Sequence, residues 1–169
     1  MGMGPLRAVC LSVLVLFGCD EAAEQGYPRA HNNPTKGEVQ DTLPLSQLTI
    51  LSGDNEHTFT VELADNANSR RIGLMNRRDM ADDHGMLFDF GETRYVSMWM
   101  ANTYLSLDMI FIDRQGMVRS IAKNTVPLST THIGSGAPVY SVLEVNAGIA
   151  DRLGLKPGDR VQHEIFADP

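Results

Sequence analysis

Short segments of alternating apolar and polar residues dominate the chain from Leu48 onward. In residues 58–64 the apolar side chains of Phe59, Val61 and Leu63 recur at every second position, which predicts a strand with one buried face. Further strands are predicted at residues 85–90, 95–100, 107–113, 117–123, 139–146 and 160–166.

The segment at residues 107–113 is apolar on both of its faces. Leu107, Met109 and Phe111 form one face, and Asp108, Ile110 and Ile112 form the other. The alternation predicts a strand, with one carboxylate at the start of an otherwise apolar segment.

Turn residues separate the strands and indicate two short helices. Residues 65–69 offer several N-cap oxygens ahead of a helix that reaches about Met75, in which Gly73 indicates a close approach of the backbone to a neighbour. Residues 148–154 predict a second helix, closed by Gly154. Residues 91–94 suit a turn, and residues 114–116 suit a hairpin in which Gly116 takes a positive φ. This pattern predicts a mainly β domain, a compact antiparallel β sandwich or barrel with two short helices.

The N-terminus has the pattern of an export signal. An apolar run at residues 8–17 follows the basic residue Arg7 and precedes Gly18 and Cys19, as in a secretory signal peptide. The run is shorter than the roughly 20 residues that cross a bilayer. Residues 16–19 resemble the bacterial lipobox, although Phe17 stands where small residues are usual. The resemblance implies a signal peptide at residues 1–18 and a lipid on Cys19; plain export and an uncleaved anchor are the alternatives.

The chain divides into a tether and one folded domain. Residues 20–47 are rich in Pro, Gly, Asn, Glu and Asp and show no hydrophobic period, which is typical of a flexible tether. We therefore predict a lipid-attachment site and tether at 19–47 and a single globular domain at 48–169, held in the bacterial cell envelope and facing the periplasm or the exterior. With Cys10 removed and Cys19 lipidated, a disulfide framework, a cysteine-ligated zinc site and a cysteine nucleophile are all excluded.

Charge argues against a nucleic-acid partner. The chain has 14 Lys and Arg against 21 Asp and Glu, a formal net charge of −7, whereas nucleic-acid binding needs a basic surface. Arg70, Arg71, Arg77 and Arg78 do cluster, but three aspartates follow within residues 79–83. We interpret this region as a solvated surface of mixed charge.

Familiar catalytic and cofactor motifs are missing from the sequence. It has no phosphate-binding loop, dinucleotide fingerprint, nucleophile elbow or His-Glu-x-x-His motif. The histidines are scattered, and even the best metal candidate, His84 after two aspartates, lacks a second ligand at the usual spacing. We predict no cofactor and no metal site.

Unusual residues concentrate around the single tryptophan. Trp99 lies between two methionines and is followed by Asn102 and Thr103, a pair suited to a turn. Trp99 either fills the core or offers an apolar platform. Asp108 and Glu144 are carboxylates in apolar strands, where such groups face solvent, accept structural hydrogen bonds, or serve a ligand or a reaction.

Seven sequence blocks together resemble a known family, the bacterial and archaeal domain of unknown function 192. They are Arg71-Ile72-Gly73-Leu74-Met75, Gly85-Met86-Leu87-Phe88-Asp89-Phe90, Trp99-Met100-Ala101-Asn102-Thr103, Leu107-Asp108-Met109-Ile110-Phe111, Pro127, Leu143-Glu144-Val145-Asn146-Ala147-Gly148 and Leu155-Lys156-Pro157-Gly158-Asp159. Ala101 replaces a common lysine and Ser106 a common proline, which argues against a lysine-dependent activity. The resemblance implies a compact β-rich fold, and it implies no established reaction.

Carried over from the family pattern, six residues are expected around one ligand pocket: Trp99, Met100, Asn102, Thr103, Asp108 and Glu144. One hypothesis is an envelope-anchored binding or accessory module for a small polar ligand. A second is a hydrolase of envelope saccharides that uses Asp108 and Glu144 as paired carboxylates. A third is a protein–protein interaction scaffold. The expected partners are the membrane, through Cys19, and a small polar ligand or an envelope protein.

Overall fold

The computed structural model describes residues 41–166, together with Met1. In chain order these residues form β1 (Leu45–Ser52), β2 (Asn55–Ala64), α1 (Ala67–Ile72), β3 (His84–Met98), β4 (Leu107–Ile112), β5 (Val118–Ala122), β6 (Ile133–Asn146), α2 (Ile149–Arg152) and β7 (Arg160–Gln162). A single 3₁₀ turn, Glu164–Phe166, ends the described chain. The mainly β fold with two short helices that the sequence predicts is confirmed.

The predicted signal peptide, Cys19 and the tether as far as residue 40 lie outside the described residues. The sequence predicts a tether through Gln47, but β1 already begins at Leu45 and pairs there with Glu62 of β2. The alternation of buried and exposed side chains is weak at the start of β1, because Leu45 is exposed. In residues 41–166, no helix is long and apolar enough to cross a membrane.

All seven strands belong to one sheet, in the order β5-β4-β6-β3-β2-β1-β7. Every pairing is antiparallel except that of β2 with β3, which runs parallel from Thr60 opposite His84 to Ala64 opposite Phe88. A parallel pair needs a crossover connection, and α1 lies in the crossover here. The sheet is therefore mixed, and it departs from the antiparallel prediction in this one pair.

The sheet curls until its two edge strands meet. The amide of Val118 donates to the carbonyl of Asp159 at 2.9 Å, and the amide of Val161 donates to the carbonyl of Gly116 at 2.7 Å. An isolated bridge between Met117 and Arg160 lies between them. The fold is thus a curled, barrel-like sheet, and the sandwich alternative is wrong.

Each face of the sheet has its own apolar core. All six residues of β4 are buried. Ile110 and Ile112 belong to one core, together with Leu48 of β1, whereas Met109 and Phe111 belong to the other. The two-faced alternation that the sequence predicts for this segment is confirmed.

The turn predicted at residues 91–94 is a bulge within β3, which runs unbroken from His84 to Met98. Asp89 lies opposite Ser141 and Arg94 opposite Val139, so β3 has more residues than β6 over this stretch. Gly91 adopts a φ of 71°, and its amide bonds to the Asp89 carboxylate at 2.8 Å, which holds the extra residues out of the ladder. A bulge and a turn use the same residue types, which is why the sequence pattern is ambiguous here.

Helix α1 is shorter than predicted and ends at Ile72. Asn66 caps its start by accepting from the amides of Asn68 and Ser69, both at 3.0 Å. Gly73 follows with a φ of 50°, and a Cβ there would lie 3.1 Å from the Phe88 ring. The close approach expected at Gly73 is confirmed.

Gly85 is required where β3 packs beside β6. A Cβ at Gly85 would lie 2.6 Å from the carbonyl oxygen of Glu144, so β6 would have to move. We expect Gly85→Ala to lower the free energy of unfolding by about 1–3 kcal/mol, as overpacking does. The measurement is urea unfolding against Gly134→Ala, whose Cβ meets nothing within 4 Å. Equal effects of the two substitutions would contradict this reason for the glycine.

Candidate functional site

Glu144 is a buried carboxyl group without a partner. It lies near the C-terminal end of β6, with Met86 of β3 opposite on one side and Met109 of β4 opposite on the other. Its exposed fraction is 4%, and no hydrogen bond from any described residue reaches its side chain. Burial raises the pKa of Glu144 to about 8, and no basic group offsets that effect. The carboxyl group is therefore mostly protonated at neutral pH.

Glu144 lines a cavity of about 240 Å³ between the sheet and α1. The walls come from α1 and the residues after it, from β3, and from the chain that follows β3. The described lining residues are Ala67, Arg70, Arg71, Ile72, Gly73, Leu74, Met75, Phe88, Phe90, Arg94, Ser97, Met98, Trp99, Thr103 and Glu144. Glu144 is the single acidic residue in this set.

Three arginines line the same cavity, and two of them have evident partners. Arg70 donates from Nη1 to the carbonyls of Asp65 and Asp89, both at 2.6 Å. Arg94 lies over the Phe90 ring, 5.0 Å from its centroid. Arg71 donates from Nη2 to Asn68 Oδ1 at 2.7 Å, but its Nη1 is buried without an acceptor in the described chain.

Trp99 lies at the wall of the cavity and is 45% exposed. Its ring meets His132 edge to face, with centroids 6.0 Å apart. His132 in turn bonds Ser97 Oγ at 2.9 Å, which fixes the imidazole against the indole. Plain core filling is therefore wrong for Trp99, and the platform interpretation fits its position.

The residues after Trp99 divide between the cavity and the scaffold. Thr103 lines the cavity and is buried. Met100 belongs to the apolar core and accepts a hydrogen bond from Thr125 Oγ1 at Sδ. Asn102 is exposed at a φ of 57°, and its carbonyl accepts from the amide of Asn76 at 2.8 Å. Met100 and Asn102 are not among the lining residues, so these two site predictions are corrected.

Asp108 lies on the opposite face of the sheet from Glu144. In the β4–β6 ladder, Asp108 is opposite Val145 while Met109 is opposite Glu144, and directly opposed residues share a face. The carboxylate of Asp108 accepts from the amides of Asn124 at 2.8 Å and Ala150 at 2.9 Å. It supplies the cap that Gly148 lacks at the start of α2. Asp108 is structural here, and the paired-carboxylate arrangement is wrong.

A second buried carboxylate, Glu62, shares the row and face of Glu144. Glu62 pairs with Met86, and Met86 pairs with Glu144. Arg77 forms a bidentate ion pair with Glu62, with Nη2 to Oε2 at 2.7 Å, and the amide of Leu43 donates to it at 3.0 Å. Burial alone would raise the pKa of Glu62, but these hydrogen bonds lower it below its ordinary value. Both carboxylate oxygens of Glu62 therefore accept hydrogen bonds from within the fold.

The arginine cluster is only partly a solvated surface, which corrects its interpretation from the sequence. Arg77 is largely buried against Glu62, and Arg70 and Arg71 are half-buried at the cavity. Sequence reasoning missed these residues as site residues because runs of mixed charge are usually exposed. One signal did exist, since Arg71 begins the first of the seven sequence blocks.

Metal-ligand geometry is not found among residues 41–166, where no three His, Cys, Asp or Glu side chains converge. His84 bonds its neighbour Asp83, with Nδ1 to Oδ1 at 2.8 Å, and both side chains are exposed.

Residues 49–163 match the family model described as DUF192, Uncharacterized ACR, over more than half of the chain. The chain belongs to this family. A solved Sinorhizobium meliloti 1021 protein, described as a candidate transcription regulator, is 51% identical over 73% of this chain and 96% of its own, with a TM-score of 0.71. A Novosphingobium aromaticivorans DSM 12444 protein of unknown function is 34% identical over 82% of this chain and 100% of its own, also with a TM-score of 0.71. No curated protein matches the sequence.

Because Glu144 is protonated in the folded protein, the free energy of unfolding should depend on pH. Between about pH 4.5 and pH 8 the folded protein keeps a proton that the unfolded chain has lost, so the stability contribution of Glu144 falls by up to about 1.4 kcal/mol per pH unit. Above about pH 8 the contribution is constant. In urea unfolding between about pH 5 and pH 9, we expect Glu144→Gln to gain stability relative to the wild type through this window.

The exposed residue Glu56 provides the matched control, Glu56→Gln. Its pH dependence should follow that of the wild type. If the Glu144→Gln and wild-type curves run parallel across the window, Glu144 does not carry the proton as described.

Proposed function

We propose that this domain of the DUF192 family is a binding module that takes a small ligand in the cavity lined by Glu144 and Trp99. The observation that carries the proposal is the unpartnered, buried carboxyl of Glu144. A buried polar group without a hydrogen bond costs roughly 1–3 kcal/mol. A fold gains nothing from such a group, so a ligand that bonds it accounts for its presence.

The surroundings of Glu144 support a ligand site. Small-molecule pockets combine apolar and aromatic walls with a few convergent polar groups. Here Phe88 and Trp99 supply the aromatic walls, and Thr103, Arg71 and Glu144 supply the polar groups. At about 240 Å³ the cavity is smaller than the usual range of ligand pockets, which begins at about 300 Å³, so the ligand is small.

The hydrolase alternative loses its basis because Asp108 and Glu144 are on opposite faces of the sheet. The scaffold alternative stays a prediction; the exposed side chains of Val126 and Leu128 are the surface residues it would use. The Sinorhizobium relative is described as a candidate transcription regulator. For this chain the net charge of −7 argues against direct contact with nucleic acid.

We further propose that the module is held on a bacterial envelope membrane by a lipid on Cys19. The order of basic, apolar and small residues before Cys19 supports this placement. Acyl chains contribute about 0.8 kcal/mol for each buried CH₂, so two or more chains give firm attachment.

The anchor is tested by Cys19→Ala. Without the thiol no thioether can form, so we expect the protein to move from the membrane fraction to a soluble exported fraction. Immunoblots of fractionated cells measure this, with Cys10→Ala as the matched control, since that cysteine lies in the segment removed on export. Full membrane retention of Cys19→Ala would contradict lipid anchoring.

Ligand binding is tested through Trp99, which is the only tryptophan of the chain and so reports on the cavity by its fluorescence. We expect at least one class in a panel of small sugars, organic acids and amines to change this fluorescence and to raise the melting temperature. Glu144→Leu should lose both responses, and Glu56→Gln should keep them.

The absence of any response in the panel would overturn the proposal. So would responses that Glu144→Leu leaves unchanged, because the ligand would then bind elsewhere.

A further inference from the structure

The charge of the cavity wall points to the chemical class of ligand, and this inference rests on the proposed function. Three arginines line the cavity, Arg70, Arg71 and Arg94, against one acidic residue, Glu144. Because burial keeps Glu144 mostly protonated at neutral pH, the wall has a net positive charge. An ammonium ligand is therefore repelled, and an anion is attracted.

Two polar groups in this wall lack partners, and both donate hydrogen bonds. Nη1 of Arg71 is a buried donor that finds no acceptor among the described residues. The protonated carboxyl of Glu144 is a second donor, since one of its oxygens carries a hydrogen. Two donors without acceptors call for a ligand with oxygen acceptors, and a guanidinium bonds most strongly to a charged oxygen.

Much of the rest of the wall is apolar, which favours a ligand with a hydrophobic body. Leu74, Phe88, Met98 and Trp99 are among these apolar lining residues. A cavity of about 150 Å³ is enough for a benzene ring, so one of about 240 Å³ accepts a ring together with an acid group.

We propose that the cavity selects small organic acids, with the ligand's anionic oxygen bound by the Arg71 guanidinium, a second acceptor bound by the Glu144 carboxyl, and the apolar body packed between Phe88 and Trp99. Arg70 and Arg94 add positive charge at the wall without being displaced from Asp65, Asp89 and Phe90. Arg71 is the residue that decides charge selectivity.

The binding should weaken at alkaline pH, when Glu144 ionises and repels the anion. The charged groups that line the cavity with Glu144 are Arg70 and Arg71 from α1 and Arg94 from β3. Its row neighbours Met86 and Met109 are uncharged, and beyond Met86 the Glu62 carboxylate is neutralised by Arg77. Ionisation of Glu144 is therefore the change in the charge of this wall that we expect as the pH rises above neutral.

The test titrates the full chain with three probes that share one ring and differ in charge: benzoate, benzamide and benzylamine. Trp99 fluorescence gives each Kd. We expect benzoate to bind at least about tenfold more tightly than benzamide, and benzylamine to bind least. Arg71→Met should bring benzoate to the affinity of benzamide. The matched control Arg119→Met removes an exposed arginine outside the cavity and should leave the preference intact.

The second readout is the pH dependence of benzoate binding between about pH 6.5 and pH 9.5. In the wild type we expect the affinity to fall about tenfold across the pKa of Glu144, and in Glu144→Gln we expect it to stay constant. His132 lies against Trp99 in both proteins, so its effect on the fluorescence is common to the two titrations.

The outcomes separate the two proposals. Tightest binding of benzamide or benzylamine, or a benzoate preference that survives Arg71→Met, would overturn the anion inference while the binding function stands. If no probe binds, and no sugar, acid or amine of the wider panel does so either, both proposals fail.

Discussion

Closure of the curled sheet is the constraint on which the rest of this structure depends. The two edge strands meet through backbone hydrogen bonds at Gly116, Val118, Asp159 and Val161. A Cβ at Gly116 would lie 2.4 Å from the Val161 carbonyl oxygen, and its φ is 79°, so only glycine fits. Closure surrounds one apolar core with the sheet. The other face then needs its own cover, which α1 and the chain after β3 provide, and the cavity lies beneath this cover.

The row of side chains on that covered face shows two ways of burying a carboxyl group. Glu62 is ionised, because Arg77 and a backbone amide replace the water that it loses. Glu144, two strands away in the same row, receives no such replacement and keeps its proton. The fold satisfies the first group and leaves the second open to the cavity. This contrast is the reason why the proposed ligand site is placed at Glu144 and not at the other buried acids.

The alternation of apolar and polar residues predicted most strands, because a strand with one buried face needs an apolar side chain at every second position. It failed at Gly91, because the same residue types form either a turn or a bulge. It also failed at Leu45, because β1 begins with an exposed apolar side chain. For the site, Trp99, Thr103 and Glu144 were predictable as unusual residues in family blocks. The face on which Asp108 lies follows from strand register, which a single sequence leaves open. The family block marks Arg71 as unusual, but its position at the cavity follows from the parallel crossover, a long-range feature that a single sequence does not show.

The methionines beside Glu144 have a consequence for the range of ligands. Thioether side chains are unbranched and polarisable, and they adopt several shapes at little cost. Met86 and Met109 flank Glu144 in the sheet, and Met75 and Met98 lie in the cavity wall. A wall with such side chains adapts to the shape of a ligand by changes of methionine rotamer. If the cavity binds the proposed ligand, discrimination by ligand shape is therefore expected to be weak, and a set of related compounds is expected to bind.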